Sequence, residues 1–150
     1  MNTLFTSINS WIPFILRLGL GIVILPHGCQ KLLGWFGGYG FNGTMDYFTG
    51  TMNLPWIIGF LVIILEVFGV IFLIAGFFTR LWAFSLTVLA IGIILSSHIP
   101  HGFFMNWYGE QSGEGYEYFI LWITISIALT VTGGGKFSLD NKLIIKQPEN

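Results

Sequence analysis

Apolar residues run along this chain in four blocks, at 11–33, 55–78, 81–99 and 116–132. At 1.5 Å of rise per residue, helices of these lengths suit a hydrocarbon slab about 30 Å thick, the last two at the short end of the range. Lipid offers no partners to peptide N–H and C=O groups, so each block must satisfy them internally, and the alternating ten-residue strands of a closed barrel are too few. The pattern predicts an all-α membrane protein: a four-transmembrane-helix bundle, one domain over 1–150. Between the first two blocks, GWFGGYGFNGTMDYFTGTMNL (34–54) is rich in glycine and aromatics. Met45, Phe48 and Met52 recur there at i, i+3, i+7, which predicts a short interfacial helix lying on the membrane surface. The connection 100–115 carries Glu110 and Glu114 but no Lys or Arg, and Gly102, Gly109 and Gly113 interrupt it. Only Thr79 and Arg80 join the second and third blocks, which makes those helices tight antiparallel neighbours.

Composition sharpens this picture. The chain is 54% hydrophobic and 9% charged, against about a quarter charged in soluble domains. Its formal net charge of -1 and six scattered Lys and Arg exclude a nucleic-acid partner, which needs a clustered basic footprint. Cys29 is the sole cysteine, so an intrachain disulfide, a CxxC redox pair and a thiolate-rich metal site are ruled out. Redox chemistry would need a borrowed cofactor. The first apolar block lacks a basic n-region, has the length of a full span and ends near Lys31, and is therefore expected to stay in the mature protein. Placing both termini in the cytoplasm puts Arg17, Arg80, Lys136, Lys142 and Lys146 on the inner side and only Lys31 outside, as the positive-inside rule favours. Trp11 and Trp82 then fall at the inner interface, and Trp35, Trp56, Trp107, Tyr108 and Tyr116 at the outer one.

Ionisable groups inside spans cost about 2.5–3.5 kcal/mol each on insertion scales and face the bundle interior. Here they are Arg17, His27 and Lys31 in the first span, Glu66 in the second and His98 in the third, with Glu117 opening the fourth. At 100° per residue, Arg17, Ile24, His27 and Lys31 share an arc of roughly 80°. Glu66 shares its face with Gly59, Gly69 and Gly76, small residues that would admit the first span. Counting rise from the inner interface puts Glu66 near ~18 Å, His27 near ~24 Å and His98 near ~27 Å, with Arg17 near ~9 Å. The expectation is an outward-opening pocket in which His27, Lys31, His98 and Glu117 gather above Glu66. The plainer alternative is a structural clasp, an Arg17–Glu66 bridge or a Lys31–Glu117 bridge at the rim. Arg17 is expected to be structural, Arg80 a positive-inside anchor and Cys29 a packing residue. His98 and His101 have i, i+3 spacing, but Pro100 lies between them and no HExxH motif exists, so no metal site is expected. A bis-histidine haem on His27 and His98 is a lesser alternative of low specificity.

Four separated blocks, HGCQKLLGWFGGYGFNGT (27–44), LEVFGVIFLIAGFFTRLWA (65–83), SSHIPHGFF (96–104) and GGGKFSLD (133–140), together resemble the DoxX family of small bacterial membrane proteins. The resemblance runs over nearly the whole chain. It departs from the family pattern at Tyr39, where proline is usual, at Cys29, where a small residue is usual, and at His101, often asparagine. The resemblance implies a four-helix bundle in the bacterial cytoplasmic (inner) membrane. It also implies an association with quinone-linked oxidoreductases, because relatives include subunits of a thiosulfate:quinone oxidoreductase. The expected function is therefore a non-autonomous membrane subunit whose pocket takes a quinone-like ring. His27 and His98 would hydrogen-bond the carbonyl oxygens, Lys31 would stabilise developing negative charge, and Glu66 would exchange a proton. Trp35, Phe36, His101 and Glu117 would line and cover the ring, and electrons would come from a partner protein. The rival reading is a non-enzymatic accessory or assembly protein, or a small-molecule or proton conduit, with a structural polar set. Glycine-lined faces also admit a homo-oligomer.

Overall fold

A computed structural model describes residues 7–145. All regular structure among them is helical. We number the helices α1 (Trp11–Leu33), α2 (Gly40–Asp46), α3 (Trp56–Ala75), α4 (Thr79–His101), α5 (Glu117–Thr132) and α6 (Leu139–Ile145). Helices α1, α3 and α4 are long and apolar enough to cross a membrane; α5 is apolar but has 16 residues. Ser10 starts α1 by accepting the Ile12 N–H on its hydroxyl, and Gly34 ends it in the left-handed region, where glycine pays no Cβ penalty. The second apolar block stops as a helix at Ala75 rather than 78, because Gly76 turns left-handed and the chain reverses into α4.

α1 and α4 stand on opposite corners of the bundle, each packed between α3 and α5. Their shared core is Leu20, Ile24, Val70, Leu73, Ala83, Leu86, Ala90 and Leu129. A smaller core of Met45, Phe48 and Ile63 forms where α2 and the wide turn after it lie on α3. Met45 and Phe48, two of the three residues whose spacing predicts the interfacial helix, are buried on protein, against Ile63 and Gly59.

Of the glycines expected to admit the first span, Gly76 meets it through Arg17, while Gly59 and Gly69 receive other elements. Gly59 receives Phe48, Gly69 receives Trp82 of α4, and Gly76 receives Ser138 and Arg17. The close approach of α1 to α3 depends instead on α1 itself. A Cβ on Gly28 would lie 2.5 Å from the Glu66 carbonyl oxygen, and one on Gly21 would lie 2.3 Å from Ile74.

The chain's two described ends meet at one end of the bundle. Ile8 N–H donates to Thr132 O (3.0 Å), Lys136 N–H to Ser10 O (2.9 Å), and Gly135 N–H to the Ser7 hydroxyl (2.7 Å). Arg17, Arg80, Lys136 and Lys142 gather at this end, with Lys136 Nζ 4.8 Å over the Trp11 ring. Lys146, grouped with them from sequence, lies outside the described residues. Lys31 sits at the opposite end of α1.

Candidate functional site

Glu66 stands on a wide turn, Leu65–Gly69, in the middle of α3, where the Val70 N–H reaches back five residues to Leu65 O. Such π turns are rare and recur at functional sites. The turn aims a carboxylate into the bundle: Glu66 is 2% exposed. Burying that charge is tolerable only with a partner, and Lys31 supplies it, Nζ lying 2.6 Å from Glu66 Oε2. Lys31 occupies the last turn of α1, where a cation is also favoured by the helix dipole. Gly28, one turn before it, brings the two backbones close enough for this contact. The pair is asymmetric, with the lysine side chain 27% exposed and the glutamate side chain 3%. It is a buried acid with a cation reaching outward.

His27 lies beside this pair on the exposed face of α1, its Nδ1 3.2 Å from Gln30 Oε1. Gln30 Nε2 in turn donates to Phe36 O (3.3 Å), which ties this face to the tight turn Trp35–Gly37. Phe36 holds φ 52 there, a conformation that is costly for a bulky residue. Trp35 and Phe36 are both exposed and meet edge to face, centroids 6.4 Å apart. The structure therefore links His27 through Gln30 to the exposed Trp35–Phe36 turn, with Lys31 one helical turn beyond His27 on α1.

The remaining expected residues form a second cluster around the loop before α5. His98 Nδ1 is 2.7 Å from Glu114 O, and its ring packs 4.5 Å from Phe119. His101 Nδ1 is 3.2 Å from the Ser112 hydroxyl, with Gly113 against its ring. Glu117 Oε1 accepts from Met105 N–H and Trp107 Nε1, both at 3.0 Å. These side chains are used to fold the loop. The single pocket expected from sequence is accordingly two separate groups, because the Glu114 carbonyl accepts from His98 and loop donors engage Glu117. Two open surface hollows, lined by Tyr39, Gly43 and Tyr47 and by Tyr47, Thr51, Met52, Ser96 and Ser97, border neither Lys31 nor Glu66.

Neither expected clasp forms. Lys31 pairs with Glu66, not Glu117. Arg17 does not reach Glu66: it is 1% exposed and spends its guanidinium on backbone carbonyls at the other end of the bundle. Nε donates to Gly134 O (2.9 Å), Nη2 to Lys136 O (3.1 Å) and Nη1 to Ile74 O. Those carbonyls end α3 and follow α5, and are nearer than a carboxylate two turns up the bundle. Arg80 is half-buried in the first turn of α4. Cys29 is a half-buried free thiol. His27 and His98 stand on helices that do not pack directly against each other, each holding its Nδ1 in a local hydrogen bond. Among the described residues, no group of three or more His, Cys, Asp or Glu could hold a metal ion.

Sequence reasoning passed over Tyr118, Trp122 and Ser126. They lie at four-residue spacing on α5, so they share one face, and Trp122 and Ser126 are buried. The spacing was the available signal, but a search for charges ignores neutral donors. Asp140 was passed over as well, lying outside every span; its carboxylate accepts from Phe78 N–H (2.7 Å) and Thr79 N–H (3.0 Å), capping α4.

The sequence profile of the DoxX family matches residues 12–99. The chain is similar to the inner membrane protein YphA of Escherichia coli (strain K12), 28% identical over 95% of this chain and 100% of the relative. It is also similar to the putative oxidoreductase CatD of Bacillus subtilis (strain 168), 25% identical over 91% of this chain and 89% of the relative. No solved structure matches it.

Proposed function

Because the chain belongs to the DoxX family, we propose that it is a four-span protein of the bacterial inner membrane, with both termini cytoplasmic, serving as a membrane subunit of a quinone-linked oxidoreductase system. The relative named as an inner membrane protein supports the location. The grouping of Arg17, Arg80, Lys136 and Lys142 at one end supports the orientation. The relative named as a putative oxidoreductase supports the redox assignment.

The observation that carries the reading is the Lys31–Glu66 pair, a buried carboxylate joined at 2.6 Å to a cation that reaches the exposed flank of α1. A quinone-like ring arriving from the lipid would meet that flank rather than an enclosed pocket. Its carbonyl oxygens would take hydrogen bonds from His27 and Lys31, and Trp35 and Phe36 would cover its face. Reduction of such a ring consumes two electrons and two protons. A partner protein would supply the electrons. The Lys31 ammonium can pass one proton outward to the reduced ring, leaving a neutral amine beside the Glu66 carboxylate, and water at the exposed flank would supply the second proton and reprotonate the amine. His98, His101 and Glu117 would act through the loop they fold.

The closed ion pair also favours a second reading, an accessory or assembly protein in which the pair only fixes α1 against α3. Thermal unfolding of purified protein with and without a water-soluble quinone separates the two. The redox reading expects the quinone to raise the midpoint of the native chain and to lose that effect in His27→Ala. If the midpoint ignores quinone in both, and Glu66→Gln only lowers the yield of folded protein, the accessory role stands.

A further inference from the structure

The turn after α5 is pressed onto the start of α1. A Cβ on Gly135 would lie 2.7 Å from Ser10 O and 2.9 Å from Phe14 N, and the Lys136 N–H donates to Ser10 O. From this pinned turn Lys136 reaches over the Trp11 ring, Nζ 4.8 Å from its centroid. The next residue, Phe137, holds φ 57, a costly conformation for a bulky side chain. Its ring meets Trp11 and Phe14 edge to face, centroids 5.4 Å apart in both pairs, and Trp11 meets Phe14 at 5.8 Å. Trp11 and Phe137 nonetheless stay at least half exposed. Arg17 adds a second cation, its guanidinium carbon 5.1 Å from the Phe14 centroid.

We propose that this end of the bundle binds an anionic phospholipid, its phosphate bonded to Lys136 and an acyl chain lying along α1. Two observations choose this occupant. The first is charge. Arg17, Arg80, Lys136 and Lys142 share this end, and its one acid among the described residues, Asp140, is buried against the Phe78 and Thr79 amides. No exposed carboxylate repels an anion there, whereas a zwitterionic head would bring its own ammonium to a cationic surface. Lysines at this depth attract anionic heads. The second is an apolar track. Trp11, Ile15 and Ile22 fall within an arc of about 40° at 100° per residue, and all three are exposed. The track runs from the lysine towards the middle of α1, as a chain attached to a phosphate at Lys136 would. With both termini cytoplasmic, as proposed above, the site faces the inner leaflet, at the opposite end of α1 from Lys31. It rests on the membrane placement of the chain and not on the quinone reading.

Native mass spectrometry of the full chain, released from a mild detergent after titration with phosphatidylglycerol or phosphatidylcholine, tests the site. Phosphatidylglycerol is expected to bind at several-fold lower concentration. Lys136→Gln is expected to weaken it about five-fold, the effect of one lysine beside an anionic lipid. Lys142→Gln removes the same charge from the same end but outside the ring cluster, and is expected to change the affinity less than about two-fold. Inorganic phosphate is expected not to displace the lipid, since it has no chain for the α1 track. Equal affinity of the native chain for the two lipids overturns the proposal, whichever variants fold. So does a preference that survives in Lys136→Gln or is lost equally in Lys142→Gln, which would be a diffuse charge effect. Displacement by phosphate, or a protein dimer in place of the lipid adduct, overturns it as well, the latter by giving the exposed rings to a second copy.

Discussion

Gly28 lies against the backbone of Glu66 so closely that a Cβ would stand 2.5 Å from the glutamate's carbonyl oxygen and 2.7 Å from its carbonyl carbon. Backbone cannot swing aside as a side chain can, so Gly28→Ala must push α1 from α3 and lengthen the Lys31–Glu66 contact. A loss of about 1–3 kcal/mol is expected, the usual cost of overpacking. Gly19 is the control: it has nothing within 4 Å, so Gly19→Ala is expected to be neutral or to gain a few tenths to about 1 kcal/mol from helix propensity. Unfolding in a mild detergent reads both, and equal losses would show that α1 does not approach α3 through Gly28.

The exposure difference between Lys31 and Glu66 predicts unequal mutants. Lys31→Met leaves a carboxylate with almost no access to solvent and is expected to cost about 3 kcal/mol, the low end for breaking a buried pair, since Lys31 itself is partly solvated. Glu66→Gln keeps an acceptor and leaves a cation that can turn outward, at about 1 kcal/mol. The double variant Lys31→Met with Glu66→Met removes both charges and is expected to recover most of the loss. A double-mutant cycle on thermal unfolding checks this; additive losses would mean that the two charges do not interact.

The helices were legible because apolar blocks and rise per residue decide them almost alone, and the bounds moved by at most three residues where Gly76 and Pro100 set the local turn. The inward placement of Glu66 and Lys31 was legible for a similar reason: charges in apolar helices are held away from lipid. Their pairing was not, because depth counting in straight helices cannot foresee the wide turn at Leu65–Gly69 or a contact controlled by Gly28. Glu117 and His98 were assigned to the pocket because the sequence does not show that the Met105 amide and the Trp107 indole would take the Glu117 carboxylate and the Glu114 carbonyl the His98 ring. Tyr118, Trp122 and Ser126 carry no charge and so did not stand out, although their spacing was in plain view.

Arg17 joins three chain segments through donors that a lysine cannot reproduce. Its planar fork serves Ile74, Gly134 and Lys136 carbonyls at once, whereas an ammonium is a single point with a shorter reach. Arg17→Lys is expected to cost about 1.5–3 kcal/mol, the range for hydrogen bonds from a charged group, and to loosen the segment 133–140 first. Hydrogen exchange should show faster exchange at the Gly135 and Lys136 amides, which are held by Ser7 and Ser10 beside the clamp, with little change near Glu66. Faster exchange at Glu66 instead would indicate that Arg17 supports the distant ion pair.

Asp140 stabilises α4 from outside its own sequence neighbourhood. The first N–H groups of a helix have no intrahelical acceptor, and the residue in the capping position, Phe78, has no side-chain oxygen to offer. The carboxylate of Asp140 supplies two acceptors in its place, while its own N–H donates to Gly76 O at 2.9 Å and holds α6 in position. Asp140→Asn keeps one acceptor and the backbone contact, so it is expected to lose about half of what Asp140→Ala loses, the latter being about 1–2 kcal/mol as for other lost caps. The amides of Phe78 and Thr79 report on the two acceptors separately in hydrogen exchange. Asp140→Ala should expose both, Asp140→Asn mainly one, and protection of both amides in the alanine variant would show that α4 finds its cap elsewhere.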